Sequence, residues 1–382
     1  EPSLAAQAEA ALRGASTEQV LVLLDGHRLN PLQGGGADLS LVPLETLERV
    51  EVIRGCAPSR YGSEGLGGVV NLVSHGRQEG GRFDAATGSG GSGRLAGRYR
   101  SRLDRDGAWH LRLTGSQGVG APSFSYADPE RGTVRERNNV DSFVRMGGLS
   151  LSHSPASGVR FPDLSLDLDR MISRRGAPGP SEFPSPEARL EETGGSGRLQ
   201  ASFRGEEDGV SPLALSMSFT RRDVHYRDPA ALPRAVEDSH AGGRLEFAAD
   251  SEAVLGNRFV LHAGAGALNE KLESTTDGLR RDSKCFLSLE PRLLFGRHPG
   301  VSPTSDFAAR LSLEGGVRVE TSRLFPARAT PRAGILLTLH PPTRMALRAN
   351  AGLAVRNPSF DDLFFSAAAF ARGNPDLRPE RS

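Results

Sequence analysis

From Arg82 onward, large apolar residues recur at every second position, in segment after segment. In LALSMSF (213–219), Leu213, Leu215, Met217 and Phe219 fall on one face of an extended strand, and Ala214, Ser216 and Ser218 on the other. WHLRLTGS (109–116), FAARLSLEGGVRV (307–319) and RMALRANAGL (344–353) repeat the pattern. A period of two excludes helices here and requires a sheet with one apolar face. About thirteen such segments lie between Phe83 and Leu353, most of them about 10 to 14 residues long, which suits tilted strands crossing a bilayer. Strands of soluble sheets average about 5 or 6 residues.

The connections alternate in length. Short turns at DRDG (104–107), SPASG (154–158), GEEDG (205–209), SEAVLGN (251–257) and HPPT (340–343) alternate with long polar segments at 119–141, 171–193, 223–240, 269–282 and 355–380. A meander with tight turns at one end and long loops at the other is the pattern of a membrane barrel. No window approaches the roughly 18 apolar residues of a membrane helix, so a chain of this kind crosses a membrane only as a closed barrel. A propeller or solenoid would carry a fixed repeat, and none recurs beyond the alternation itself. The aromatic content, 6%, is low for a barrel with aromatic girdles, although 17 Phe substitute in part. A soluble multi-stranded sheet is therefore the rival architecture.

Residues before about Ser74 follow a different pattern, that of a small α/β module. VLVLLD (20–25) is a continuous apolar run ending in Asp25-Gly26, a tight-turn dipeptide, and predicts a buried strand entering a hairpin. RVEVIRG (49–55) alternates, which predicts a half-buried strand with Val50 and Val52 on its apolar face. Pro58 can open a helical turn, and Gly62, Gly65, Gly67 and Gly68 surround a turn into VVNLV (69–73). These glycines precede a strand and lack a Lys-Ser/Thr ending, which argues against a phosphate loop.

Charge and composition narrow the function. The formal net charge is +1, Lys occurs only at 271 and 284, and Arg is interspersed with Asp and Glu. No basic stripe is present to track a phosphate backbone, so no nucleic-acid partner is expected. Cys56 and Cys285 lie far apart without ligand spacing and read as unrelated thiols, with a disulfide the alternative. The nine His are scattered, no Gly-x-Ser-x-Gly elbow occurs, and neither enzyme chemistry, a metal site nor a cofactor is expected. The opening EPSLAAQAEAALRGAS lacks the pattern of an export signal.

Several motifs carry a resemblance. VLVLLDGHRLN, followed by DLSLVPLETLERVEVIRGCAPSRYGSEGLGGVVNLVS, resembles the plug domain of TonB-dependent receptors, and VRNPSFDDLFF (355–365) with GNPDLRPERS (373–382) resembles paired motifs of a long outer loop in that family's barrel. Cys56 stands where the family commonly has Pro, and Asn357 where an Ala often precedes Pro358. The resemblance implies a partial plug over 1–76 and a partial barrel over 82–382, a membrane β-barrel of the 22-stranded type with the plug in its lumen. It further implies that a TonB box and the first half of the plug precede residue 1 and that roughly nine strands follow Ser382.

On the same ground the protein is expected in the outer membrane of a Gram-negative bacterium, in contact with lipid, taking up a scarce nutrient chelate such as a ferric siderophore or cobalamin, with TonB as the energy-coupling partner. The alternatives are an uncoupled porin-like or surface-binding barrel and a partial gene product. Asn30, Gln33, Arg60 and Tyr61 are candidate ligand contacts at the plug apices, or simply turn residues. Phe360, Phe364 and Phe365 are candidate aromatic contacts, or loop packing. No His lies between Val355 and Asn374 to act as an axial haem ligand. Arg54 is expected to reach a barrel carboxylate, or to remain a solvated charge. Asp25, Gly26, Gly55, Gly62, Gly67 and Gly68 are expected to shape the plug turns.

Overall fold

Five consecutive apolar residues, Val20–Leu24, form a strand with both faces covered. In the computed structural model, which describes residues 8–54, 62, 65–74, 79–106, 108–128, 132–155, 161–180, 182–204, 212–231, 235–256, 258–296, 308–340, 345–366 and 372–382, this strand β1 is wholly buried. β2 (His27–Arg28) pairs with it antiparallel and β4 (Gly68–Val73) pairs parallel. β3 (Arg49–Arg54) completes a mixed sheet of order β2-β1-β4-β3. Val20, Val22 and Leu24 pack with Ala37, Val42, Val70 and Leu72 on one face, and Leu21 and Leu23 with Val69 and Ile53 on the other. A strand buried on both faces loses the alternation of a half-exposed one, which is why its sequence reads as a continuous run. Burying side chains of this size stabilises by about 1.5–3 kcal/mol each.

Asp25 (φ 50°) and Gly26 (φ 84°) are both left-handed, as the two central residues of a type I′ turn must be, and Leu24 faces His27 across it. Three short 3₁₀ turns, at Thr17–Gln19, Leu39–Leu41 and Leu44–Thr46, complete the module. The helical turn expected at Pro58 lies outside the described residues. One expectation needs correcting: Val50 and Val52, predicted to be buried on one face, are 52% and 45% exposed. β3 is an edge strand, and of its apolar residues Ile53 alone packs on the described core.

A second sheet of thirteen antiparallel strands follows. Its members are β5 (Gly80–Thr87), β6 (Gly93–Arg102), β7 (Trp109–Gly120), β10 (Ser142–His153), β11 (Asp163–Gly176), β12 (Arg189–Phe203), β13 (Leu213–Asp228), β14 (Val236–Leu255), β15 (Phe259–Ser274), β16 (Gly278–Phe295), β17 (Ala308–Ser322), β18 (Arg328–His340) and β19 (Met345–Gly352). A separate hairpin, β8 (Ser123–Asp128) with β9 (Thr133–Asn138), rises between β7 and β10. Consecutive members pair with one another. The predicted facing of 213–219 holds: Leu199, Met217 and Phe247 form an exposed cross-strand row, whereas Ala214, Ser216 and Ser218 line a cavity beside the plug sheet. No helix among the described residues is long and apolar enough to cross a membrane.

Of the long segments predicted as loops, 119–141, 223–240 and 269–282 are mostly strand. β13 and β14 run to Asp228 and from Val236, and β15 and β16 leave only Thr275–Asp277 between them. Beyond the apolar band both strand faces carry charge, as in Glu270, Lys271, Arg280 and Arg281, so the hydrophobic period stops while the backbone ladder continues. At the opposite end SEAVLGN is likewise mostly β14, which continues to Leu255.

Past β19 the chain forms β20 (Val355–Arg356), helix α1 (Phe360–Phe364) and β21 (Glu380–Arg381), which pairs with β20.

Candidate functional site

The apex of the plug sheet is built from HRLNPLQGGG (27–36). Asn30 is held along β1: its Oδ1 accepts from Val22 N at 2.8 Å and its Nδ2 donates to Val20 O at 3.0 Å. Its amide thereby continues the hairpin ladder where Pro31 interrupts the backbone. Beyond it, the carbonyls of Leu32 and Gln33 accept from the first-turn N–H groups of α1, Phe360 N at 3.5 Å and Asp361 N at 2.8 Å. Such N–H groups have no partner within their own helix, so the plug satisfies them. Gly34 (φ 147°) allows the approach, since a Cβ there would stand 2.8 Å from Ser359 Oγ.

α1 is too short to persist alone and is fixed from both ends. Ser359 and Asp362 form a capping box, with Asp362 N donating to Ser359 Oγ at 3.1 Å and Ser359 N to the Asp362 carboxylate at 2.8 Å. Gly373 N donates to Phe365 O at 2.7 Å and Asn374 N to Asp362 O at 2.8 Å, so the second paired motif clasps the first. Arg356, buried, reaches Glu18 of the plug at 3.2 Å, Asp362 at 3.4 Å and Glu380 at 3.5 Å.

Of the aromatic candidates, Phe360 is buried and stacks with Phe364 at 6.5 Å between ring centroids. The Arg280 guanidinium lies 4.1 Å from the Phe364 centroid, a cation–π contact. Phe364 and Phe365 are half-buried. An apolar cavity of about 120 Å³ separates the apex residues Leu29, Leu32 and Gln33 from Met146, Met171 and Leu272 of the sheet. A larger one, about 690 Å³, lies between Leu21 and Leu23 and the small inward residues of β13, β14 and β16.

Among the described residues, four charged contacts between plug and large sheet share one polarity. Asp25 faces Arg112 at 3.8 Å, Asp38 faces Arg175 at 2.8 Å, Glu45 faces Arg94 at 3.3 Å and Glu48 faces Arg98 at 3.3 Å. In each the plug gives the acid and the sheet the arginine. Asp25 therefore does more than shape a turn: its carboxylate also accepts from Ser74 N at 2.8 Å.

The remaining predicted residues separate into two groups. Gly62 (φ 84°) sits where a Cβ would meet the Arg28 and Arg318 guanidinium groups at 3.0 and 3.2 Å. A Cβ at Gly67 would lie 2.5 Å from that of Ala15, and Gly68 has φ 138°. The side chain of Arg54, and Gly55, Arg60 and Tyr61 entirely, lie outside the described residues. Cys285 is an exposed free thiol, and Cys56 is likewise outside. Among the described residues no group of three or more His, Cys, Asp or Glu is placed to hold a metal ion.

Residues 3–69 match the family profile described as TonB-dependent receptor plug domain, and residues 294–382 the profile described as TonB dependent receptor-like, beta-barrel. The vitamin B12 transporter BtuB of Vibrio vulnificus strain YJ016 is 37% identical over 376 residues, covering 97% of this chain and 56% of the transporter. The BtuB of V. vulnificus strain CMCP6 is 25% identical over 373 residues, again 97% and 56%. The chain thus spans about half the length of the curated relatives it matches. The crystal structure of the siderophore receptor PirA from Pseudomonas aeruginosa superposes with a TM-score of 0.67 at 16% identity, covering 97% of this chain and 63% of PirA, a likeness of fold.

Proposed function

The chain belongs to the TonB-dependent receptor family, and on that premise we propose that the whole protein is an outer-membrane receptor for high-affinity uptake of a scarce nutrient chelate, a cobalamin or a ferric siderophore. The β-barrels of this family are outer-membrane proteins of Gram-negative bacteria, and the apolar cross-strand row of Leu199, Met217 and Phe247 is the kind of surface that lipid covers. In this reading residues 1–76 serve as plug and 82–382 as barrel wall.

One observation carries the reading: α1 is seated on the plug apex through the bonds from Phe360 and Asp361 to Leu32 and Gln33. A ligand touching α1 from outside would act on the plug directly, as signalling to TonB through the plug requires. We assign ligand contact to Gln33, Phe364 and Phe365, together with Arg60 and Tyr61, whereas Asn30 and Phe360 hold the platform. Arg54 keeps its proposed ion pair to a barrel carboxylate.

The test is growth of a deletion strain under cobalamin or iron limitation, supplied with one nutrient source at a time. Dependence on the intact gene and on TonB for one source is expected. Growth on every source without the gene, or import that survives loss of TonB, rejects the reading.

A further inference from the structure

A row of positive charge crosses the outward face of the large sheet just beyond its apolar band. Followed by register across β11 to β16, its members are Arg170, Gly195, Arg221, Gly243, Lys271 and Arg281. Phe219 and Leu245 lie one step toward the middle of the strands, and Met217 and Phe247 one step further. Arg323 joins from the end of β17, where its N–H donates to Ser283 O at 3.1 Å.

Lys271 and Arg281 stand directly opposite each other on paired strands, and like charges so placed repel. The next row toward the rim offers two acids, Asp223 to Arg221 at 3.0 Å and Glu273 to Lys271 at 2.5 Å. Among the described residues neither Arg281 nor Arg323 has a carboxylate partner. The inward face of the same strands is balanced instead: Glu270 pairs with Arg244 at 2.6 Å and with Lys284 at 2.8 Å. The outward excess calls for a further anion.

Arg221, Lys271, Arg281 and Arg323 line an open groove of about 550 Å³, with Leu245 at its apolar edge. Gly243 makes the room: a Cβ there would meet only Thr220 O, at 4.0 Å. Ser283 Oγ donates to Asn269 Oδ1 at 2.7 Å, which sets a neutral polar step below the cations. Polarity thus falls in three steps along the wall, from charge through neutral groups to exposed apolar residues such as Phe247, Leu287 and Val319.

We propose that this groove binds a membrane lipid whose phosphorylated headgroup sits on several acyl chains, the chemistry of the lipid A anchor of lipopolysaccharide. A phosphate among Lys271, Arg281 and Arg323 replaces their repulsion by attraction, and a guanidinium grips phosphate through two parallel bonds. The stems of Lys and Arg lie along apolar surface while their heads reach the phosphate. The acyl chains cover Phe219, Leu245 and Phe247, which a free phosphate would leave bare. The proposal rests on the reading of the large sheet as barrel wall in an outer membrane and is independent of which nutrient is carried.

The test is binding of bis-phosphorylated lipid A to the whole receptor in detergent micelles, read as lipid retained after gel filtration. The same lipid stripped of both phosphates, and inorganic phosphate as competitor, are the comparison arms. The wild type is expected to prefer the phosphorylated lipid, less so at high salt. The double variant Arg281→Gln, Arg323→Gln should bind it about tenfold or more weakly. Gly243→Leu, which fills the groove without changing charge, should also weaken binding. Arg204→Gln, just past the opposite end of β12, should stay within about twofold of wild type. Heat-modifiable migration on gels confirms that each variant has folded. Equal affinity for the two lipids, unchanged binding in the double variant or in Gly243→Leu, an equal loss in Arg204→Gln, or displacement of the lipid by millimolar inorganic phosphate each overturns the proposal. A wild-type receptor that shows no heat-modifiable form in micelles rejects the barrel reading instead, and the growth assay on single nutrients stands apart from both.

Discussion

Asp38 of the plug and Arg175 of β11 form an ion pair 2.8 Å long in which each side chain is 3% exposed. Glu192, also buried, lies 3.7 Å from Arg175 and 2.7 Å from Arg222, so two acids and two arginines form one neutral row between plug and sheet. Asp38 additionally accepts from Ser40 N at 3.0 Å and Ala8 N at 3.2 Å. Removing one member of a buried pair leaves an uncompensated charge, which costs about 3–5 kcal/mol. Asp38→Ala in the whole receptor is therefore expected to weaken plug docking by that amount, measured as urea-induced release of the plug in lipid vesicles. A loss under about 1 kcal/mol would mean that the pair behaves as a solvated surface contact.

The same pair sets an acid limit. Burial pushes the Asp38 carboxyl up, but the Ser40 hydrogen bond and the Arg175 charge outweigh it, leaving its pKa below 3.8. A carboxylate with a lowered folded pKa contributes stability that is complete above its unfolded value and lost as pH falls through the folded one. Plug docking is expected to be insensitive to Asp38 titration above about pH 4 and to weaken below it. Urea titrations at pH 3 and pH 5, with Asp38→Asn as the non-titrating control, check this: a smaller drop in the variant is the expected result.

What could be read from the sequence was what leaves a local trace. The continuous run of β1, the Asp25-Gly26 turn and the two-residue period of β13 are imposed by burial, by φ and by the lipid face, each acting on neighbouring residues. The rim half of β15 and β16 left no such trace, because charges on both faces erase the period while backbone bonding persists. The plug-to-sheet ion pairs were invisible for a different reason. Arg175 and Asp38 are distant in the chain, and an inward Arg on a strand looks the same in sequence whether it meets the plug or water. Phe360 could have been read better: the Ser359–Asp362 capping box and the Phe360, Leu363, Phe364 spacing mark a helix with one buried face.

Gly373 clasps α1 at close range. A Cβ there would lie 2.5 Å from Phe364 N and 2.6 Å from Phe365 N, both backbone atoms that cannot turn aside. Gly373→Ala should therefore force α1 and the GNP segment apart at about 1–3 kcal/mol, breaking the bonds from Gly373 to Phe365 and from Asn374 to Asp362. Faster amide exchange across 360–365 in the whole receptor is the expected readout. Gly115→Ala on β7, where a Cβ would meet nothing within 4 Å, is the control and should change stability by less than about 0.5 kcal/mol. Equal exchange in both variants would show that the clasp bears no load.

Met217 and Ser216 are neighbours on β13 with opposite surroundings. Met217 is 41% exposed, between Leu199 and Phe247 in the outward apolar row. Ser216 faces inward between Gln200 and Ala248, on the wall of the larger cavity. An arginine in place of Met217 would set a charge against acyl chains, costing about 2–4 kcal/mol near the bilayer midplane and less toward the interface. In place of Ser216, the same side chain would extend into a polar lumen where water and carboxylates can solvate it, opposed only by crowding. Unfolding free energies of Met217→Arg and Ser216→Arg in lipid vesicles are expected to differ by about 2 kcal/mol or more, with Met217→Arg the weaker protein. Equal losses, or a larger loss at Ser216, would mean that the apolar row does not face lipid, and would favour a sheet whose apolar face is covered by protein.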